Sequence, residues 1–522
     1  MSTATDLAPT HRANPLGKYD ILKDAVILTA IVLLGAALRF WNINTGLPYR
    51  LGPDEPVVAE RAIHMMRTGD FHPRFFDYPG LYIYIQLLVA CAVYVQGAFE
   101  GAWRSVSQFQ PEHLFAWTRL LNAAIGTLTI PLVYAAATRW GRGVALMAAL
   151  AFALSPNHIR ESHFALTDVP VTFFVAASLV LSLRAMETGR AIWLVSAAAV
   201  VGLAAATKYN GAYALVLPVI AAAAMGGNIG RRAGYGVAAM AVSVVAFLLA
   251  APYTVLDLPG FLNAFGALSR FYSARPFADG ASIYIGHMRV AVGWVGLGVI
   301  VVGIVSMTVR AWQQRDWAKW AMFAVLPFLY FYSVSTKQLI FARYLLPVLP
   351  FIFIFMAAGI VEMLGPLRLL NQPVWTRRLA ACAVCAIALF PVARAAVTWP
   401  RDYGRRTTHD IAYEQIQTVI PAGSGVVIER SVLRLPRPYK ILNVPWLGVH
   451  SPENYIARGM TFAVASSDAF GRIMANPAEH ANEYEHYERI FKAPGHCLPP
   501  IQPTDSVSGP QIVVCRLDAA IQ

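Results

Sequence analysis

The chain has 522 residues, of which 57% are hydrophobic and 14% charged, with a formal net charge of +13. Soluble domains usually carry about 25% charged residues, so a soluble protein built around one large core is excluded. Residues 398–522 hold 12 basic and 12 acidic side chains, so the whole positive excess lies in the first 397 residues. In a membrane protein such an excess reports topology and lipid headgroups, and no nucleic-acid-binding motif accompanies it.

Residues 1–24 are predicted to be a cytoplasmic N-terminal segment. The apolar run after them is not followed by a small-residue cleavage site, so it reads as a retained helix rather than a signal peptide. Apolar stretches long enough to cross about 30 Å of hydrocarbon as helix are predicted at 25–44, 119–137, 143–160, 168–185, 190–207, 209–226, 234–252, 287–309, 319–335, 342–362 and 379–397. Every second connection is basic: Arg139 and Arg142, Arg184 and Arg190, Arg231 and Arg232, Arg310, Arg315 and Lys319, then Arg368, Arg377 and Arg378. By the positive-inside rule these connections are cytoplasmic. An odd number of spans then places the tail outside.

The segment "YPGLYIYIQLLVACAVYVQGAF" (78–99) is apolar enough to span, but counting it would put all those arginines outside. Residues 52–117 are therefore predicted to stay on the outer side, with helices along the membrane surface and Tyr and Trp at the interface. In the tail, 413–420 and 482–492 read as helix, and 425–429, 461–467 and 511–517 as strand. The predicted fold is an α-helical polytopic membrane protein with about 11 transmembrane helices. Surface helices occupy its first outer loop, and a C-terminal extra-cytoplasmic α/β domain follows. The domains are 1–24, 25–397 and 398–522. Nothing in the tail looks catalytic. Cys91, Cys382 and Cys385 lie in apolar segments, whereas Cys497 and Cys515 could pair if the tail lies outside the cytoplasm.

This topology gathers polar groups on one face. Asp54, Glu55 and Asp77 lie in the first outer loop, Asp168 in "LTDVPVTFF" and Lys208 in "TKYNGAYAL". Arg270 lies in the loop 253–286, and Lys337 and Arg343 in "STKQLIFARYLLPVLPF". Each alone has a plain structural reading. Asp54 and Asp168 can cap helices, Lys208 can snorkel, and Lys337 and Arg343 can bind headgroups. A charge inside the apolar region costs about 2.5–3.5 kcal/mol, so several on one face need partners. Together they suit an anionic, lipid-borne substrate: Arg and Lys hold a phosphate, and a carboxylate takes a proton from an acceptor. No metal-ligand spacing such as HxxxH is present.

The order of the Asp54-Glu55 pair, "FDYPGLYIY", "RLLNAAIGTLTIPLVY", "LTDVPVTFF", "TKYNGAYAL" and "ARYLLPVLPF" resembles the family 39 and related C-type membrane glycosyltransferases. That group includes protein O-mannosyltransferases and the aminoarabinose transferases that act on lipid A. The resemblance covers about residues 25–400, and the tail is similar to an extra-cytoplasmic α/β domain of some bacterial members.

The resemblance implies an inverting glycosyltransferase using a polyprenyl-phosphate-linked sugar at the outer face of the cell (inner) membrane. Asp54 would be the general base or acceptor-orienting group, with Glu55 its catalytic neighbour. Asp168 and Asp77 would be further site acids, and Lys208, Lys337, Arg343 and Arg270 would bind lipid phosphate. No cofactor is required, and a divalent cation is optional. The partners are the donor, membrane lipids and a lipid, glycan or protein acceptor. Tyr78 stands where the aminoarabinose transferases have Lys, which argues against lipid A. The histidine-rich features of the protein O-mannosyltransferases are absent. A transporter or flippase of lipid-linked sugars is the competing reading, and a non-catalytic assembly protein a third.

Overall fold

A computed structural model describes residues 18–52, 54–272, 274–366, 372–429, 433–435, 438–492 and 496–517. The N-terminal segment predicted at 1–24 lies outside the described residues as far as residue 17, and residues 18–24 open the first helix. Helices follow in the order α1 Lys18–Phe40, α2 Glu55–Thr68, α3 Leu81–Phe99, α4 Phe115–Ala137, α5 Arg142–Ala153, α6 Pro156–Ser162, α7 Asp168–Thr188 and α8 Ala191–Thr207. After a 3₁₀ stretch, Tyr209–Leu215, come α9 Val216–Ala224, α10 Ile229–Ala250, α11 Tyr253–Leu256, α12 Leu258–Phe271, α13 Phe277–Gln314 and α14 Trp317–Ser335. A second 3₁₀ stretch, Ala342–Val348, leads into α15 Leu349–Leu364 and α16 Val374–Tyr403. Among the described residues, seven helical stretches are long and apolar enough to cross a membrane. The protein is an integral membrane protein of the helical type.

The helices end where the sequence interrupts them. The span expected at 143–160 is two helices, because Ser155 is non-helical and Pro156 starts a new one. The span expected at 287–309 is the middle of α13, which breaks at Gly293, where φ is +72°. The last span runs past the expected boundary at residue 398 to Tyr403. The helix α15 is apolar on every side and buried from Leu349 to Ile360, as a central helix must be. It meets α13 through Gly303 and Gly359, where an added Cβ would fall within about 2 Å of the facing backbone carbonyl oxygen.

Ion pairs mark the two ends of the bundle. One end holds Arg142–Asp24 at 2.6 Å, Arg139–Glu187 and Arg310–Glu362 at 2.7 Å. The other end holds the starts of α2, α4 and α7 and the end of α8. The apolar α3 stays near that second end. Tyr82 reaches Asn122, Gln86 reaches the Ala165 carbonyl, and Gly97 packs on Trp103. Trp103 in turn packs on Phe109, in one cluster with Leu114 and Phe115 at the start of α4.

The tail forms a four-stranded sheet in the order β2-β1-β3-β4, with β1 Gly425–Glu429, β2 Lys440–Val444, β3 Phe462–Ser466 and β4 Ile512–Arg516. β1 is parallel to β2 and β3, and β4 is antiparallel to β3. The helices α17 Thr408–Val419, α18 Pro452–Ala457, α19 Ser467–Ala475 and α20 Ala481–Lys492 cover it, and Cys497 and Cys515 form a disulfide. The first loop clasps this domain. Tyr49 donates to Asp410 at 2.6 Å and stacks on Tyr413, while Arg50 donates to the Tyr403 carbonyl at 2.7 Å.

Candidate active site

Asp54 occupies the N-cap position of α2, but its side chain makes no cap hydrogen bond. Its Oδ2 accepts instead from the Tyr78 hydroxyl at 2.8 Å and from Arg343 Nη2 at 3.1 Å. Among the described residues, Oδ1 accepts nothing. A cap contact would have consumed the carboxylate locally. The long-range contacts hold one oxygen and leave the other open to an incoming hydroxyl.

Glu55, one residue on, has a different task. It is fully buried and accepts four donors: Arg119 Nε and Nη2, each at 2.8 Å, the Gly52 amide at 2.6 Å and the Ala165 amide at 2.7 Å. Arg119 also donates to the carbonyls of Ile43, Thr45 and Arg50 and to the Tyr403 hydroxyl. A buried carboxylate with both oxygens filled by a bidentate guanidinium and two amides is a structural clamp. It joins the first loop, α4, the α6–α7 turn and the end of α16. The sequence-based expectation gives Glu55 a share in the chemistry; in the fold both its oxygens are taken by Arg119 and the two amides.

Asp168 opens α7, buried, and its Oδ1 accepts from Lys208 Nζ at 2.6 Å. Lys208 sits where α8 stops and the backbone turns extended, and its ammonium also lies 4.8 Å from the centre of the Tyr344 ring. Arg343 follows the extended residue Phe341, with its Nε 4.0 Å from Asp168 Oδ2. Two carboxylates and two cations thus interlock, which offsets the cost of holding each near the apolar interior.

A cavity of about 910 Å³ opens beside this group. Its polar head is Asp77, Tyr78, Lys208, Lys337 and Tyr344, and its tail is apolar: Val216, Val219 and Ile220 of α9 face Val325 and Leu329 of α14. α12 covers it with Phe265 and Leu268. Asp77 and Lys337 are exposed and form no ion pair among the described residues. The structure does not bring Arg270 here. It lies exposed on α12 while its neighbours Leu268, Ser269 and Tyr272 line the cavity, because the face of that helix turned to the cavity passes through those positions.

Arg119, Tyr78 and Tyr344 lie beside these groups without having been expected there. An arginine opening an apolar run needs a partner, and that was the available signal for Arg119. The tyrosines carried none. The Tyr272 and Tyr344 hydroxyls meet at 2.9 Å over the cavity. Among the described residues no group of three or more His, Cys, Asp and Glu gathers to hold a metal ion. Asp54 and Asp168 each face a cation, whereas Asp77 forms no ion pair among the described residues.

Residues 29–249 match the dolichyl-phosphate-mannose-protein mannosyltransferase family. No curated protein matches the chain in sequence. Among solved structures, ArnT from Cupriavidus metallidurans bound to undecaprenyl phosphate is 16% identical with a TM-score of 0.54, over 96% of this chain and 98% of that one. The archaeal oligosaccharyltransferase AglB from Archaeoglobus fulgidus, in complex with an inhibitory peptide and a dolichol-phosphate, is 13% identical with a TM-score of 0.57, over 89% and 72%. The Archaeoglobus fulgidus oligosaccharyltransferase complex with Zn and sulfate is 14% identical with a TM-score of 0.53, over 93% and 72%. The family match covers residues 29–249, and the fold is shared with these membrane enzymes over most of the chain.

Proposed function

We propose that the protein is an inverting glycosyltransferase that moves a sugar from a polyprenyl-phosphate donor to an acceptor at the outer face of the cytoplasmic membrane. The observation that carries this reading is the cavity whose apolar tail meets a head of Lys208, Lys337 and Tyr344, next to an Asp54 carboxylate with one oxygen open. An isoprenoid chain suits the tail and its phosphate the head. ArnT has been solved with undecaprenyl phosphate and AglB with a dolichol-phosphate.

In the reaction an acceptor O–H or N–H attacks C1 of the sugar from the side opposite the phosphate. The C1–O bond breaks, its electron pair leaves with the polyprenyl phosphate, and the anomeric configuration inverts. Asp54 orients the acceptor and takes its proton, with Tyr78 and Arg343 fixing the carboxylate. Lys208 and Lys337 stabilise the charge building on the leaving phosphate, the electrostatic contribution that is usually largest.

Orientation is supported by the basic connections, which include Arg139, Arg142, Arg310 and Lys319 and belong to the bundle end opposite the site. The disulfide in the tail suits an oxidising compartment. A flippase would carry its ionisable groups at the bilayer midplane, whereas these cluster at one end. Asp54→Asn should leave insertion intact and lower transfer from a polyprenyl-phosphate sugar by at least about a hundredfold, the size of a general-base contribution. Wild-type turnover in that variant would remove Asp54 from the role.

A further inference from the structure

A second large cavity, about 970 Å³, lies between α2, the loop after it and the C-terminal domain. Four arginines and three histidines line it against two glutamates. Glu60 is already bonded to Arg434 across the cleft. Arg61 forms no ion pair among the described residues. Its Nη1 donates to the Val57 carbonyl, its buried Nε has no partner, and its guanidinium sits 4.0 Å above the Phe75 ring. Arg74 is held at φ +47°, a left-handed conformation costly for a side-chain-bearing residue. Its amide is bonded to His72 and its guanidinium to the partly exposed Asp70. Tyr413 and Tyr439 of the C-terminal domain form part of the opposite wall.

This cleft shares α2 with the site. Arg61 stands seven residues after Asp54 on α2, two helical turns or about 10 Å along the same face. Phe75, beneath Arg61, packs 5.7 Å from Tyr78, which bonds Asp54. Tyr78 and its neighbour Asp77 line the first cavity. Tyr78 on one side, and α2 with Phe75 on the other, thus link both cavities to Asp54. One is apolar with a cationic head; the other is polar, basic and walled by the tail domain.

We infer that the second cavity is the acceptor site, and that the acceptor carries an anionic group, phosphate or carboxylate, seated against Arg61 and Arg74 while its nucleophile reaches Asp54. This rests on the glycosyltransferase reading and names the substrate class of that site. It also assigns the tail domain a task, since that domain closes the cleft.

The test uses full-length protein purified in neutral detergent, with inorganic pyrophosphate as the anionic probe and undecaprenyl phosphate measured separately. The Arg61→Gln/Arg74→Gln double variant should bind pyrophosphate about tenfold more weakly, the loss of about 1.4 kcal/mol, with undecaprenyl phosphate affinity unchanged. Pyrophosphate affinity insensitive to the double variant, or lost only on Lys208→Gln, would overturn the inference by placing the probe elsewhere. Failure of the wild type to bind undecaprenyl phosphate would instead count against the glycosyltransferase reading. Mass spectrometry of organic and aqueous extracts from cells with and without the protein supplies the second arm. A product whose acceptor bears phosphate or carboxylate, in either phase, supports the inference. An uncharged acceptor overturns it.

Discussion

The two ends of the helix bundle use the same residue types in opposite ways. At the end away from the site, Arg310 and Glu362 are 41% and 45% exposed, and Arg139–Glu187 and Arg142–Asp24 each keep one partner substantially exposed. Such pairs are solvated and contribute about 0–1 kcal/mol each. At the site end, Glu55 and Arg119 are fully buried, and Asp168 and Lys208 nearly so. Buried charges are expensive to hold and strongly destabilising to break apart, so their placement signals a demand other than stability. The charged pairs of one end are solvated; those of the other interlock around Asp54 and Asp168 beside the apolar cavity.

That contrast can be broken in several ways. The largest effect is expected from Arg119→Met, which leaves Glu55 charged and unpaired. A loss of about 3–5 kcal/mol should appear as failure to accumulate or a sharply lowered melting temperature in detergent. Near-normal melting would show that the clamp is not structural. Lys208→Met should weaken undecaprenyl phosphate binding by about 1.5–3 kcal/mol, the value of a hydrogen bond to a charged group, with Lys208→Arg recovering part of it. Unchanged binding in a titration would move the phosphate out of this cavity.

A third test lies in the tail. Glu429 is buried and accepts from the Leu447 and Ser466 amides and the Tyr487 hydroxyl. Glu429→Gln presents an NH₂ to one of these donors and should cost about 1–3 kcal/mol in domain unfolding. Burial pushes this carboxyl above its usual range, so the folded domain keeps its proton to higher pH than the unfolded chain. Stability from this group is therefore greatest at acid pH and falls as pH rises through the shifted value. The Gln variant should flatten that dependence in pH-resolved melting curves. The smallest effect is expected from Arg310→Gln at the far end, within about 1 kcal/mol. A larger loss would erase the difference between the two ends.

Much of the architecture was legible because membrane insertion and strand burial leave simple patterns. Apolar length marked the helices, and alternating basic connections marked one end of the bundle. In the tail, β1, β3 and β4 are short apolar runs and were read. β2, "KILNV", was not, because it is an edge strand with a mixed burial pattern after a proline-rich stretch. The break at Ser155-Pro156 lies inside the span expected at 143–160, where the apolar run gives way to Asn157, His158 and Arg160.

The site divides in the same manner. Sequence alone determined that Asp54, Asp168, Lys208 and Arg343 needed partners, because uncompensated charge beside hydrocarbon is costly wherever it occurs. It could not choose those partners. Only the folded chain decided that Asp54 meets Arg343, 289 residues away, and that Glu55 turns inward to Arg119 and is spent. Only the fold set Arg270 on the wrong face of α12. Adjacent carboxylates look alike in sequence, but successive residues of a helix point about 100° apart. That rotation turned Asp54 toward Tyr78 and Arg343 and Glu55 into the core.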